Sequence, residues 1–479
     1  MKLLSGNSAR AWWGWYAVAA ASFLPALAFY YVGEEAIFPI SALEMWYHGE
    51  PVRRLLFGGD LQHNPLFTWL IIPLASLTGW EAVLPVTRAI AIASTVGAGL
   101  VAAWLAQALY GDRTFSAVVA VIYLTLADLF FYRGWLAYVD PLFALLVFSA
   151  MACLWIACER RQPALLALAL IVVFAAFMAA RMTAYVFYAA TGFVLLFRQD
   201  YRRFLLGWPA LAMHAVGAVL PVLWLSLFAA SRGQGGRMFG EILAKLAPES
   251  MTGYLGKLAL YPLETLLCLA PAGWIALWLV ARRRKSLLQN PDPALWIAAA
   301  IALLNFLPYW LAPQSHVRYL LPLFPLAGLV IARVLWLGGT DWLSRTRHWL
   351  AAAITLKLVL MLVVFPWYQI KYRGANYAET AQAILERTAG HPLYTTNVSA
   401  SGLSVAAYID VARLPQPPLT FPPGNWREGP GDWRDGFVIA YEADPGLGAL
   451  VAKYRLGGND LYLLCRGTAC ADQPDGLRK

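Results

Sequence analysis

Apolar runs of close to twenty residues recur along most of this chain, at 84–108, 141–158, 204–228, 293–311 and 319–337 among others. A run of that length crosses the roughly 30 Å hydrocarbon core of a bilayer as a helix, the conformation that satisfies every backbone polar group without water. Composition agrees. Of the 479 residues, 60% are hydrophobic and only 13% charged, too little polar surface for a water-soluble chain of this size. The sequence predicts a polytopic α-helical membrane protein. Bounding the runs by charges and Pro/Gly signals gives about eleven spans, the others being 13–31, 115–131, 163–180, 183–197, 262–281 and 348–366.

The net charge of +10 is not a nucleic-acid signal, because the basic residues gather at the ends of apolar runs, where they set orientation. With the N-terminus in the cytoplasm, the cytoplasmic connections read "YGDRT", "CERRQP", "FRQDYRR", "ARRRKS" and "SRTRHW", and every one is basic. The opening "MKLLSGNSARAWWGW" leads into an aromatic-rich apolar run without a small-residue cleavage site, so it reads as a retained span rather than a signal peptide. Ala, Leu and Arg richness with few Lys fits a GC-rich bacterial genome. The expected setting is a bacterial inner membrane, with the outer face in the periplasm.

That frame places residues 32–83 and the tail from about 370 on the outer face. Two stretches of 32–83 read as helices lying along the membrane. Residues 35–48 carry Ala36, Ile40, Leu43 and Tyr47 on one face with Ser41, Glu44 and His48 on another, and 65–79 are apolar but short, with Pro73 inside. The tail turns polar and Pro-Gly-rich, with a helix-like "NYAETAQAILERTAG" and strand-like "PLYTTN", "DGFVIAYE" and "DLYLLCR". Two domains are therefore expected: a transmembrane catalytic domain at 1–369 and a small periplasmic α/β domain at 370–479. Cys465 and Cys470 can pair there if that face is oxidising. Asn397-Val398-Ser399 matches a glycosylation acceptor pattern, a match that arises readily by chance. No internal repeat, Walker loop, GxSxG elbow or zinc-ligand set is present, and neither a metal nor a cofactor is expected.

Two pairs of residues carry the chemical signal. Glu34-Glu35 lie just before Pro39, which is tolerated only in the first turn of a helix, so both acids sit at a helix start. Acids there complement the helix dipole by about 0.3–1 kcal/mol, and that structural reading stands beside a catalytic one. Asp140-Pro141 is equally readable as a helix cap, as is Asn64-Pro65. What favours function is convergence: three acids, a histidine and several arginines fall on one side of the membrane at the ends of different spans, where ionisable groups are costly. A carboxylate facing cations suits a base acting on a hydroxyl or amine while an anion departs. Candidate anion binders are His63, Arg232, Arg237, His316 and Arg318, the last expected to be buried against an apolar span. Arg88 and Arg181 are readable either as partners of neighbouring acids or as substrate ligands.

In order along the chain, Glu34-Glu35, "ALEMWYHGE", "HNPLFTW", "TRAIAIAS", "YVDPLFALL" and "SHVRYLLPLFP" resemble the GT-C glycosyltransferases of the protein O-mannosyltransferase and lipid A aminoarabinose transferase type. The resemblance covers roughly residues 10–370; each motif is short, so its specificity lies in the combination. It implies an integral membrane enzyme that takes a sugar from a polyprenyl-phosphate carrier on the non-cytoplasmic face and passes it to a glycan, lipid or protein acceptor. Glu34 stands where the family has the Asp of an Asp-Glu pair, regarded as the catalytic base, and Glu35 inherits a supporting, substrate-side role. His63 replaces the lysine of a Lys-Pro-Pro-Leu motif, so phosphate binding there is expected to depend on pH. Asp140 matches the aspartate of Thr-Asp-Pro, with Val139 in place of the threonine. Arg318-Tyr319 match a basic residue and tyrosine in contact with phosphate, while Arg237 and His316 stand as anion binders by residue type alone. The alternatives are a ligase or polymerase of lipid-linked glycans, a flippase or transporter without chemistry, and a glycan-binding accessory subunit.

Overall fold

The computed structural model describes residues 8–61, 64–228, 240, 247–248, 250–289, 292–373, 376–424, 433–456 and 459–471. The chain packs as two compact units: Met1–Leu24 with Ala89–Leu358, and Pro25–Arg88 with Val359–Lys479. The tail thus packs with the first outer loop.

Six helices among the described residues are long and apolar enough to cross a membrane: Trp80–Tyr110, Asp140–Arg160, Trp208–Leu227, Pro293–Leu311, Val317–Leu337 and Ser344–Lys371. A seventh crossing arises if Met251–Cys268 and Ala272–Arg282, bent by 107°, count as one broken span. This is a multi-pass helical architecture, but length and composition do not reproduce a count of eleven. The runs expected to span at 115–131, 163–180 and 183–197 form helices of 12, 17 and 13 residues. At 1.5 Å per residue the shortest is about 18 Å long. The first run also breaks, its helix Ala9–Ala21 giving way to a 3-10 turn at Leu24–Ala28.

In the first unit, Asp140–Arg160 is a well-buried helix, its packed face running from Leu142 through Val147 and Leu154 to Cys158. Its 21 residues place Asp140 and Arg160 at opposite ends, about 30 Å apart. Trp208–Leu227, in contrast, leaves Trp208, Val216, Val222 and Leu227 exposed, an apolar face suited to lipid and not to water.

In the second unit, helix Ile37–His48 holds Pro39 in its first turn and stops at Gly49, whose φ of 64° closes the helix in the left-handed region. A two-residue hairpin follows, β1 Leu55–Leu56 paired antiparallel with β2 Gly59–Asp60, and then helix Leu66–Thr78 with Pro73 inside. Asn64 is not its cap, since the N-cap position is Pro65. The tail builds a four-stranded sheet from β3 Leu393–Thr395, β4 Gly436–Ala440, β5 Ala449–Leu456 and β6 Asn459–Arg466, in the order β3-β4-β6-β5. Only β3 and β4 are parallel. Helices Asn376–Arg387 and Ala400–Ala412 complete this α/β part, and Cys465 and Cys470 form a disulfide at its end. Asn397 is fully buried, its amide bonded to the Ala440 carbonyl at 3.2 Å and the Ser399 N–H at 2.9 Å. Its pattern is a turn of the folded domain and not an open acceptor for a glycan.

Candidate active site

The two adjacent glutamates part company in the structure. They lie in a tight turn at 33–36, entered through Gly33 at φ 60°, a conformation that glycine adopts without a Cβ clash. The Ile37 N–H donates to the Glu34 carbonyl at 3.2 Å as the helix begins. Glu34 is exposed, whereas Glu35 is fully buried. The Glu35 carboxylate receives a two-pronged hydrogen bond from Arg88, whose Nε lies 3.0 Å from Oε1 while Nη2 reaches Oε2. It also accepts the Val32 N–H at 2.7 Å. The remaining Arg88 donors close the carbonyls of Ala26 at 2.7 Å, Phe29 at 2.6 Å and Tyr30 at 2.8 Å. A planar five-donor fork is the one side chain able to do all this. Glu35 therefore anchors the turn that presents Glu34, and as a fully buried group it stands out of reach of a ligand in this conformation.

In the first unit, Asp140 is not the cap of its helix; Val139 occupies that position and Asp140 is the first helical residue. Its carboxylate feels the guanidinium charges of Arg318, Arg133 and Arg181. Arg318 Nη2 meets the Tyr319 hydroxyl at 3.3 Å, and the Cζ atoms of Arg318 and Arg181 lie 5.2 and 5.9 Å from the centre of that ring. The rings of His316 and Tyr309 stand 6.0 and 6.3 Å from Tyr319. Arg133 ends a π-helical turn, Leu129–Arg133, that opens after Asp128, and its Nε bonds Asp128 Oδ1 at 3.0 Å. Asp128 Oδ2 and Arg133 Nη1 are buried with no hydrogen-bond partner among the described residues. Three arginines, Arg318, Arg133 and Arg181, thus act on one aspartate, and guanidinium groups gathered in this way suit an anionic ligand.

No family model matches the chain, and no curated protein matches it by sequence. Solved structures do. ArnT from Cupriavidus metallidurans bound to undecaprenyl phosphate has a TM-score of 0.66 at 13% identity, covering 96% of this chain and 98% of that one. Its apo state gives 0.65 at 14%, with 98% and 100% covered. The oligosaccharyltransferase AglB from Archaeoglobus fulgidus, in complex with an inhibitory peptide and a dolichol-phosphate, gives 0.53 at 12%, with 97% of this chain and 75% of that one. The chain has the GT-C fold.

Within this GT-C fold the expected residues fall into distinct groups. Asp140, Arg318, Tyr319 and His316 come together in the first unit, and Glu34 and Glu35 belong to the second. Arg318 is exposed and not buried as expected, because the 3-10 turn Val317–Leu323 puts Val317 and Leu320 inward and leaves Arg318 on the open side. His63, Arg232 and Arg237 lie outside the described residues. Sequence reasoning passed over Arg133 and Asp128, and left Arg88 and Arg181 undecided. The one local signal for Arg133 is its place in "FYRGWLAYVDP", an arginine between two apolar runs and seven residues before Asp140.

Proposed function

We propose that this protein transfers a sugar from a polyprenyl-phosphate donor to an acceptor, with inversion at the anomeric carbon. The observation that carries the reading is the convergence of Arg318, Arg133 and Arg181 on Asp140, a set of planar donors suited to the phosphate of a phosphodiester. Glu34 is the base: its carboxylate takes the proton of the acceptor's O–H or N–H as that atom bonds to the anomeric carbon. The anomeric C–O bond breaks, its electron pair goes to the phosphate oxygen, and the lipid phosphate leaves. Arg318 and Tyr319, with Arg133, Arg181 and His316, stabilise the second negative charge that develops on the phosphate, where fixed donors act most strongly. Asp140 orients these cations. His63 is assigned to the donor phosphate by the sequence resemblance alone, and Arg237 by its residue type and expected place on the outer face. Glu34 acts by its exposed position at the helix start.

The chemistry belongs to the periplasmic face of an eleven-span inner-membrane protein whose N-terminus is cytoplasmic. Residues 1–369 form its catalytic domain and 370–479 its outer domain. The Cys465–Cys470 disulfide supports an oxidising compartment for the tail. The likeness to AglB favours a second reading, in which the transferred group is a preassembled lipid-linked glycan and not a single sugar.

The test is incorporation of labelled sugar from polyprenyl-phosphate donors into membrane extracts, with wild type and Glu34→Gln compared. Loss of a proton acceptor is expected to cost about 10²–10⁴-fold in transfer with donor binding retained. Equal transfer by the two proteins removes Glu34 from the mechanism and leaves it a helix-start residue.

A further inference from the structure

In the second unit, the first-loop helix and the α/β tail grip the same turn from two sides through buried polar groups that the transfer chemistry does not use. Glu44, on helix Ile37–His48, is 1% exposed. Its Oε1 accepts the Phe57 N–H at 2.6 Å and its Oε2 the Gly58 N–H at 3.0 Å. Phe57 and Gly58 both have positive φ, 54° and 75°, a turn that aims successive amides at one point and suits an anion there. Phenylalanine rarely adopts such a backbone, and the carboxylate offsets that strain.

The tail holds the other side of the turn. The Phe421 N–H donates to the Phe57 carbonyl at 2.9 Å, and the two rings pack edge to face at 5.5 Å. A Cβ on Gly58 would lie 3.6 Å from the Thr420 methyl, so Thr420 stands beside the turn. The neighbouring tail residues are tied into the α/β part: the Thr395 N–H donates to the Thr420 carbonyl at 3.0 Å, and Asp410 Oδ1 accepts the Leu419 N–H at 2.6 Å. A continuous run of hydrogen bonds thus leads from helix Ile37–His48, through the turn and residues 419–421, to β3 and helix Ala400–Ala412.

The charges around this run are unusual for a region that only needs packing. Asp410 is fully buried, and its Oδ2 has no hydrogen-bond partner among the described residues. Arg413 Nη1 and Arg54 Nη2 are likewise buried without one, although Arg54 Nε donates to Ser41 Oγ at 3.3 Å. Asp410 and Arg413 come from helix Ala400–Ala412 and its end, and Arg413 also feels Tyr47. Helix Leu66–Thr78, packed on the same first-loop helix, brings no ionisable group. Burying carboxyls where apolar side chains would pack is costly, so the tie needs its acids for something that packing does not supply.

We propose that Glu44 is a positioning residue, tying the helix that begins two residues after Glu35 to the α/β tail, so that the tail sets where the candidate base is held. The effect on turnover rests on the glycosyl-transfer reading; the tie itself does not. Burial pushes the Glu44 carboxyl up to about 7 against the lowering effect of its two N–H partners. The tie therefore changes its proton content within the ordinary range of pH.

The experiment is hydrogen–deuterium exchange on the full chain in nanodiscs, comparing wild type, Glu44→Gln and Phe421→Ala, followed by steady-state kinetics with a labelled polyprenyl-phosphate sugar. Losing a buried hydrogen bond in Glu44→Gln, or the edge-to-face ring contact in Phe421→Ala, is expected to speed exchange about tenfold in peptides 52–60 and 417–423 of both variants. Exchange in helix Asn376–Arg387 stays unchanged, which shows that the variants are folded. The kcat of both variants is expected to fall about tenfold with donor KM within about threefold, the split that marks misplacement rather than lost binding. Faster exchange at 52–60 alone in Glu44→Gln, or an unchanged kcat, overturns the proposal. If wild type transfers from no donor, the glycosyl-transfer reading fails, and the exchange at 417–423 alone decides whether the tie exists.

Discussion

Glu35–Arg88 and the Asp140 group both set carboxylates against arginines, and they differ in how many arginines meet each acid. Glu35 and Arg88 are one acid and one base, both fully buried, and the arginine also closes three backbone carbonyls. Asp140 faces three arginines, one of which shares its charge with Asp128, and two buried polar atoms of that Asp128–Arg133 pair lack a partner among the described residues. A balanced, satisfied pair holds structure. An aspartate met by three arginines, beside a pair with polar atoms to spare, is where the proposed reading puts its anion. The difference teaches that the same residue types form a closed pair or an open cluster according to how many arginines meet each acid and which donors are left over.

The strongest way to break the comparison is Arg88→Ala. It strands a buried carboxylate, and removing one partner of such a pair costs about 3–5 kcal/mol. Thermal unfolding in detergent should show a protein that melts far below wild type, and a variant as stable as wild type would place Glu35–Arg88 among the dispensable pairs. Glu44 sharpens the point, since it is a third buried acid held by amides rather than by an arginine. Its carboxyl is raised to about 7 in the folded state. The folded protein therefore holds a proton that the unfolded chain gives up near its ordinary carboxylate value, and stability falls as pH rises from about 4.5 to about 7. The full span is roughly 3 kcal/mol. Unfolding midpoints measured across that window should lose this slope in Glu44→Gln.

Smaller effects are expected in the Asp140 group. Arg318→Ala should weaken binding of undecaprenyl phosphate about tenfold, or about 1.4 kcal/mol, with stability changed by less than about 0.5 kcal/mol because the side chain is exposed. Isothermal titration and melting on one sample separate the two; a large loss of stability would make Arg318 a scaffold residue like Arg88. Asp140→Asn releases the arginines that Asp140 orients, so phosphate affinity should fall by about threefold and transfer with it. Phosphate binding unchanged or tighter in that variant would mean that Asp140 tunes the charge of the arginines more than it holds them in place.

Much of the fold was legible because hydrophobic runs report lipid burial directly. The helices at 140–160, 208–227, 293–311 and 317–337 fall on the runs that announced them, and Pro39 located the helix start behind Glu34-Glu35. The number of crossings was not legible, because a broken helix and an unbroken one have the same hydropathy. Helix Ala400–Ala412 went unread for a related reason: "ASGLSVAAYIDVA" is buried along most of its length, so it carries little amphipathic period. The candidate site was half legible. Asp140, Arg318 and Tyr319 stand at span ends where ionisable residues attract notice, while Arg133 hides in a π-helical turn that no local pattern marks.

The sequence by itself determined the membrane class of this chain, the order of its helices and the presence of acids at their ends, because burial in lipid and helix-start chemistry are properties of neighbouring residues. Only the tertiary structure decided which of Glu34 and Glu35 remains exposed, since the answer lies with an arginine 53 positions away in the chain. It likewise decided that Arg133, Arg181 and Arg318, drawn from three separate segments, surround one aspartate. Charge pairing acts through space over a few ångströms, and sequence separation does not record that distance.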